Sequence, residues 1–180
     1  MRTWFTADTH FGHSNILRHQ PKRGELFDNI REMDEAMICR WNSKISPTDV
    51  VYHLGDFGWS LEHSCEILKR LNGVKILVPG NHDKNVISQG AFRRQWESIA
   101  PYSYLEVIIE GQLIVMSHFP IWEWHSIDRG TFHLHGHVHG KPTGVPGRIM
   151  DVGIDTNGLY PFSFNEVRQA MLNKPIRLHE

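Results

Sequence analysis

Five short polar blocks hold most of the residues that could do chemistry in this 180-residue chain. They are Asp8-Thr9-His10, Gly55-Asp56, Gly80-Asn81-His82-Asp83, Ser117-His118 and Gly136-His137-Val138-His139. The chain has 13 histidines, and many of them lie in or beside these blocks. Imidazole is the commonest metal ligand and the usual proton carrier near neutral pH. Carboxylates, imidazoles and one amide form a donor set suited to manganese, iron, zinc or nickel. With no thiolate among them, a structural zinc site is disfavoured. Seven donors (Asp8, His10, Asp56, Asn81, His118, His137 and His139) exceed what one ion takes with positions left open. With Asp56 shared they supply four contacts to each of two ions, and ions about 3.5–4 Å apart clamp the attacking and leaving oxygens of a phosphoryl centre.

Taken singly, each donor could be a turn residue capping backbone groups. Their joint occurrence argues for ligation. Glycines beside them (Gly12, Gly55, Gly80, Gly136, Gly140) suit tight turns and close backbone approach. Other residues keep two readings. His13 and Asn15 could hold phosphate or cap a helix start. His135 could back a ligating imidazole or be a buried structural histidine; His133 reads as structural. Trp122, Trp124, His125 and Arg129 could stack on a base or sugar, or simply pack over a sheet. Lys22-Arg23 and Arg93-Arg94 read as solvated surface pairs.

Each block needs an element to carry it. Residues 2–7, 50–54 and 74–78 read as strands, each running into a polar block. Residues 104–109 and 113–117 flank Glu110-Gly111-Gln112 as a hairpin. Thr131–His135 and Ile149–Val152 are further strands. A helix starts near Ser14. Residues 27–45 form an amphipathic helix with Phe27, Ile30, Met33, Met37, Ile38 and Trp41 on one face and Asp28 as N-cap. Residues 61–71 form a helix with Leu61, Cys65, Leu68 and Leu71 inward, ended by Asn72-Gly73. Phe92–Trp96 sits on a short helix, and Ser163–Asn173 is a last helix with Ser163 and Glu166 at capping-box spacing. In extended chain, residues two apart share a face, so Asp8 pairs with His10 and His137 with His139. In α/β sheets, ligands bind where strands end and loops begin.

The bulk numbers set limits. The length predicts a single domain over residues 1–180. Forty per cent apolar and 22 per cent charged residues describe an ordinary globular chain. A net charge of −1 gives no global field toward nucleic acid, though a local basic groove is not excluded. Cys39 and Cys65 show no zinc or disulfide pattern and read as buried free thiols on helices. No apolar run approaches a membrane span and no signal peptide precedes the first strand, so the expectation is a cytoplasmic protein without a membrane partner.

The ordered set Asp-x-His, Gly-Asp, Gly-Asn-His-Asp, His and Gly-His-x-His, running from residue 8 to residue 139, resembles the calcineurin-like metallophosphoesterase superfamily. The stretches Asp8-Thr9-His10-Phe11-Gly12-His13 and His133-Leu134-His135-Gly136-His137-Val138-His139-Gly140 resemble a compact bacterial or phage branch of small phosphoesterases. The resemblance implies an α/β fold of two packed mixed β-sheets flanked by helices, a four-layer αββα sandwich. It implies that Asp8, His10 and His139 hold one metal, that Asn81, His118 and His137 hold a second, and that Asp56 bridges. A hydroxide between the ions would attack phosphorus in line, with His82 binding a phosphate oxygen or protonating the leaving group. His82 and Asp56 are thus the catalytic candidates, and His13, Asp83, His135 and Arg129 are further candidates for touching substrate or backing the ligands. Larger members follow their second block with an acid and a phosphate-clamping arginine. This chain has Phe57-Gly58-Trp59-Ser60, which leaves the partner of His82 unidentified and disfavours a phosphoprotein substrate.

The expected activity is therefore hydrolysis of a phosphodiester or phosphomonoester with two divalent ions, manganese first among them. Iron, zinc and nickel also fit. A diester of nucleotide type is slightly favoured, because the chain is short and shows no cap insertion. A nucleic-acid end is a further candidate that the net charge does not indicate. A metal-stabilised binding or scaffold protein without turnover is the alternative. A metallo-β-lactamase-type hydrolase would need a His-x-His-x-Asp-His run, and the chain has none.

Overall fold

Trp4 and Phe5 are both buried, but in different cores. This follows from the strand's two-residue period, which sends neighbouring side chains to opposite faces. In the computed structural model, which describes residues 1–178, the chain order is β1 (Thr3–Thr6), α1 (Ile16–His19), α2 (Pro21–Leu26), α3 (Ile30–Lys44), β2 (Val50–His53), α4 (Leu61–Arg70), β3 (Val74–Leu77), α5 (Lys84–Ile87), α6 (Gly90–Arg93), β4 (Ser98–Ile99), β5 (Tyr104–Ile109), β6 (Gln112–Ser117), β7 (Phe132–His135), β8 (Ile149–Asp151), β9 (Phe162–Ser163) and α7 (Phe164–Leu172).

Two mixed sheets result, flanked by helices. The first runs β4-β3-β2-β1-β9, parallel except for β9. The second runs β5-β6-β7-β8, with only the β5–β6 hairpin antiparallel. Trp4, Val51 and Leu77 pack with Met33, Met37, Trp41, Ile67 and Leu68 of α3 and α4. Phe5, Leu54 and Val78 pack with Ile114, Met116, Phe132 and Leu134 of the second sheet, and α7 adds Phe164, Val167 and Met171. Full burial of one such large apolar side chain contributes about 1.5–3 kcal/mol. The outer face of the second sheet is covered by Trp124 and Ile127, which pack on Val115 and Ile149.

Local chemistry explains most boundaries. Ser163 caps α7 and closes the capping box with Glu166. The hairpin turns at Glu110 and Gly111, both at positive φ, which matches the twist of its strands. Several boundaries differ from expectation. The N-cap of α3 is Asn29, whose side chain accepts from Glu32 N–H, not Asp28. Phe27 lies outside that helix in extended backbone, because the preceding residues form α2. The helix near Ser14 lasts only one turn before Pro21 starts α2 with its fixed φ. In α4, Leu68 and the adjoining Leu71 are buried, and so are Ser64 and Ile67; Leu61 and Cys65 are only partly covered. Cys39 is exposed and Cys65 half-buried, so both thiols are free but neither is deeply buried. Arg23 is fully buried rather than solvated, for a reason given below.

Candidate metal centre

The loops after β1, β2, β3, β6 and β7 carry the five polar blocks. A parallel bridge pairs Phe11 with Gly58, and another pairs Ala7 with Gly153. The Asp83 carboxylate ties the β2 and β3 loops, accepting from Asp56 N–H (2.8 Å), Phe57 N–H (3.0 Å) and Gly80 N–H (2.7 Å). It is therefore a clasp between loops and does not orient His82.

Two groups of donors come together. One ligand atom each from Asp8, His10 and His139 lie within 4.8 Å of one another, and so do those of Asp56, His118 and His137. Asn81 joins the second group, its Oδ1 lying 3.0 Å from His118 Nε2. Asp56 Oδ2 stands between the groups, 3.7 Å from His10 Nε2 and 3.5 Å from His118 Nε2. His82 lies at the rim, its Nε2 3.9 Å from the same oxygen.

The backbone at these donors is unusual. Nine described non-glycine residues have positive φ, and Asp8, His10, Asp56, His137 and His139 are five of them. This conformation costs on the order of 1–2 kcal/mol per residue, and such strain clusters at functional sites. It also corrects the argument from strand alternation. Asp8 converges with His10, and His137 with His139, on left-handed backbone and not on extended strand. Asp and His are among the types that tolerate it. Gly80 and Gly136 serve by bulk. A Cβ on Gly80 would lie 2.3 Å from Asp56 Oδ1, and one on Gly136 would lie 2.6 Å from Asp8 Oδ2.

The donors fit divalent cations. Asp8 Oδ1 and His10 Nε2 are buried without a hydrogen-bond partner, a costly state for protein alone. Burial, followed by the charges of Asp56 and Asp151, pushes Asp8 well above the usual carboxylate range. Burial, followed by the Arg23 charge, pushes His10 well below the usual imidazole range. A cation beside them favours ionised Asp8 and neutral His10 together. His118 donates from Nδ1 to the Leu54 carbonyl at 2.8 Å, and its Nε2 faces the oxygen of Asn81 at 3.0 Å. A ring nitrogen and an amide oxygen converging on one point suit a cation.

His139 has a buried support. It donates from Nδ1 to Asp155 Oδ2 at 2.7 Å. Arg23 holds both oxygens of that carboxylate, through Nε at 2.6 Å and Nη2 at 2.7 Å. The same guanidinium donates to the carbonyls of Asp8 (2.6 Å) and Thr9 (2.9 Å). Burial opposes the Asp155 charge, but the Arg23 and His139 hydrogen bonds outweigh it and hold Asp155 well below the usual range. A carboxylate behind an imidazole orients a metal ligand. Neither residue was identified from the sequence. Asp155 does follow strand β8 as the other blocks follow theirs, a signal that could have found it; nothing near Arg23 marks it.

The remaining candidates separate. His13 lines the cleft over the donors, with Trp59, His19 and His82. His135 is buried and donates to the Gly136 carbonyl at 2.8 Å, supporting the turn before His137. Arg129 is exposed on a 3₁₀ turn and does not line the cleft. Trp124 is buried and donates to the Thr131 carbonyl, and His125 pairs with Glu106, so packing accounts for both. Trp122 is exposed with the Arg177 guanidinium 4.9 Å above its ring. Asn15 lines the cleft, and its side chain caps nothing in α1. A larger hollow of about 590 Å³, lined by Trp4, Lys44, Tyr160 and Glu166 among others, contains neither donor group, so size alone does not mark the site.

Relatives agree with this architecture. The chain is similar to a protein of unknown function from Aquifex aeolicus, with a TM-score of 0.74 and 26% identity, the match covering 94% of this chain and 98% of that one. It is 26% identical to the Gene 66 protein of Mycobacterium phage L5, over 87% of each chain. It is 36% identical over 86 residues to an uncharacterized protein of Methanocaldococcus jannaschii, a match spanning 46% of this chain and about half (47%) of that relative. The family model for calcineurin-like phosphoesterases matches residues 1–173. With that coverage, the chain belongs to the calcineurin-like phosphoesterase family.

Proposed function

We propose that residues 1–180 form one catalytic domain that hydrolyses a phosphoric ester, preferably a diester, with two divalent ions. The observation that carries this is the position of Asp56 Oδ2 between two separate donor groups. When bound, the ions would acidify a water to a nucleophile and neutralise charge on the phosphoryl oxygens. Asp8, His10 and His139 would hold one, Asn81, His118 and His137 the other, and Asp56 both. The oxygen and nitrogen donors suit manganese, with iron, zinc or nickel as alternatives.

The chain's own groups supply the rest. His82 is tied at its backbone, where its N–H donates to Asp56 Oδ1 at 2.9 Å. Its ring is 42% exposed at the cleft rim, where it can bind a phosphate oxygen or give a proton to the leaving oxygen. Arg23 and Asp155 keep His139 aimed. The buried Arg23 guanidinium is spent on four protein oxygens, so it does not clamp phosphate. The open rim supports a substrate with two ester arms. No helix among the described residues is long and apolar enough to cross a membrane.

The test is turnover of bis(p-nitrophenyl) phosphate and p-nitrophenyl phosphate by manganese-loaded protein, with Asp56→Asn as control. The expected result is faster diester cleavage and a loss of several orders of magnitude in the variant. No turnover of either ester, or a variant near the wild-type rate, refutes the reading.

A further inference from the structure

Trp59 is 53% exposed and Trp122 57%, whereas Trp4, Trp41, Trp96 and Trp124 are all buried. A single exposed indole is ordinary; Trp59 differs in what lies against it. The ring is not loose. His13, itself only 8% exposed, lies against one face with ring centroids 3.9 Å apart and planes 4° from parallel. The Trp59 backbone N–H donates to the Phe11 carbonyl at 2.9 Å, which fixes the loop, though not the ring itself, to the segment that carries His10. The stack on His13 thus sets the plane of the indole, and about half of its surface stays exposed.

That plane stands beside the chemistry. Trp59 lies 5.8 Å from His82 and His82 5.5 Å from His10, between ring centroids. Trp59, His13, His19 and His82 wall one cleft of about 420 Å³ with His10 and His139 at its floor. This volume is in the range of small-molecule sites, about 300–1,000 Å³. His13 Nδ1 is buried there without a partner. Among the described residues no lysine or arginine lines the cleft. A polynucleotide backbone or a polyphosphate would call for such cations. One phosphate over the donor groups, with a flat neutral group beside it, does not.

We propose that the open face of Trp59, backed by His13, is a stacking seat for the nucleobase on one ester arm of a singly charged phosphodiester. This rests on the phosphodiester reading above and adds to it where the substrate's non-reacting arm sits. Because the indole is already immobilised, little side-chain freedom is lost when a base stacks on it.

The experiment compares two esters with the same leaving group, thymidine 5′-(p-nitrophenyl phosphate) and methyl p-nitrophenyl phosphate, on manganese-loaded wild type, Trp59→Ala and Trp59→Phe. Wild type should prefer the thymidine ester. Trp59→Ala should abolish that preference through a rise in KM on the order of ten- to a hundredfold for the thymidine ester, and Trp59→Phe should restore much of it. Equal wild-type kcat/KM for the two esters, or an equal loss on both in Trp59→Ala, overturns the stacking seat while leaving hydrolysis standing. Turnover of neither ester overturns the hydrolase reading instead. Tryptophan fluorescence titrated with thymidine 5′-monophosphate then decides the seat without catalysis: quenching in wild type but not in Trp59→Ala supports it, and no quenching in either overturns it.

Discussion

Arg23 and Asp155 lie 132 residues apart in the chain, yet their side chains meet in a two-bond grip of 2.6 and 2.7 Å directly behind His139. The guanidinium also holds the Asp8 and Thr9 carbonyls, so one buried cation braces two of the loops that bear candidate metal donors. Asp155→Asn should weaken manganese binding about 10–100-fold, the usual effect of losing a carboxylate behind a ligating imidazole. It should also lower stability by about 3–5 kcal/mol, since it leaves a buried charge uncompensated. Calorimetric titration and urea unfolding measure the two effects separately; unchanged manganese affinity would remove Asp155 from the metal support.

Metal removal should destabilise the fold. Asp8 and Asp56 repel each other, and the buried Asp8 Oδ1 and His10 Nε2 lack partners. Manganese at 100 times its Kd should add about 2.7 kcal/mol to the unfolding free energy, and EDTA should abolish that gain. Scanning calorimetry with and without EDTA reads this as a shift in Tm. Asp56→Asn should lose most of the shift; a shift of wild-type size would place the ion elsewhere.

Acid should destabilise the protein through two histidines, His133 and His53, that stand outside both donor groups. His133 donates from Nδ1 to the Val115 carbonyl and accepts at Nε2 from Ile121 N–H, so a second ring proton would face a donor. Burial holds its pKa down to about 3, and burial followed by the His118 charge does the same for His53. The folded state therefore binds fewer protons than the unfolded chain, whose histidines titrate near 6.5. Their contribution is intact above about pH 6.5 and is lost as pH falls toward 3, at about 1.4 kcal/mol per pH unit for each ring. Urea unfolding at pH 7.5, 6 and 5 should trace this decline. His133→Gln, which keeps a donor and an acceptor without titrating, should cut the slope by about 1.4 kcal/mol per pH unit and leave the His53 share; an identical slope would exclude His133 as a source.

Gly80 keeps space open for the Asp56 carboxylate. In Gly80→Ala the new Cβ would meet Asp56 Oδ1 at 2.3 Å and Asp56 N at 2.6 Å, and backbone cannot yield as a side-chain tip can. The variant should stay folded at a cost of about 1–3 kcal/mol while diester turnover falls at least tenfold. Steady-state kinetics beside a melting curve separates the two. Retained activity would mean that the β2 and β3 loops part easily.

The sequence by itself determined the candidate donors, their order and the strands that lead into them. This was legible because ligand chemistry depends on residue type, and each strand-to-loop change is written within a few residues. The family and the two-sheet fold followed from the same blocks. Tertiary structure alone decided the supports. Arg23 follows Lys22 and reads as a solvated pair, but packing buries it against Asp155. Asp83 sits next to His82 in the chain, yet its carboxylate turns to three backbone N–H groups across two loops. Trp59 reads as a departure from the family pattern, and only the fold lays it on His13. Periodicity and spacing report a residue's own element, whereas these contacts depend on where distant loops turn. At the donors the turning is done by left-handed backbone, a conformation that Asp and His permit without requiring it.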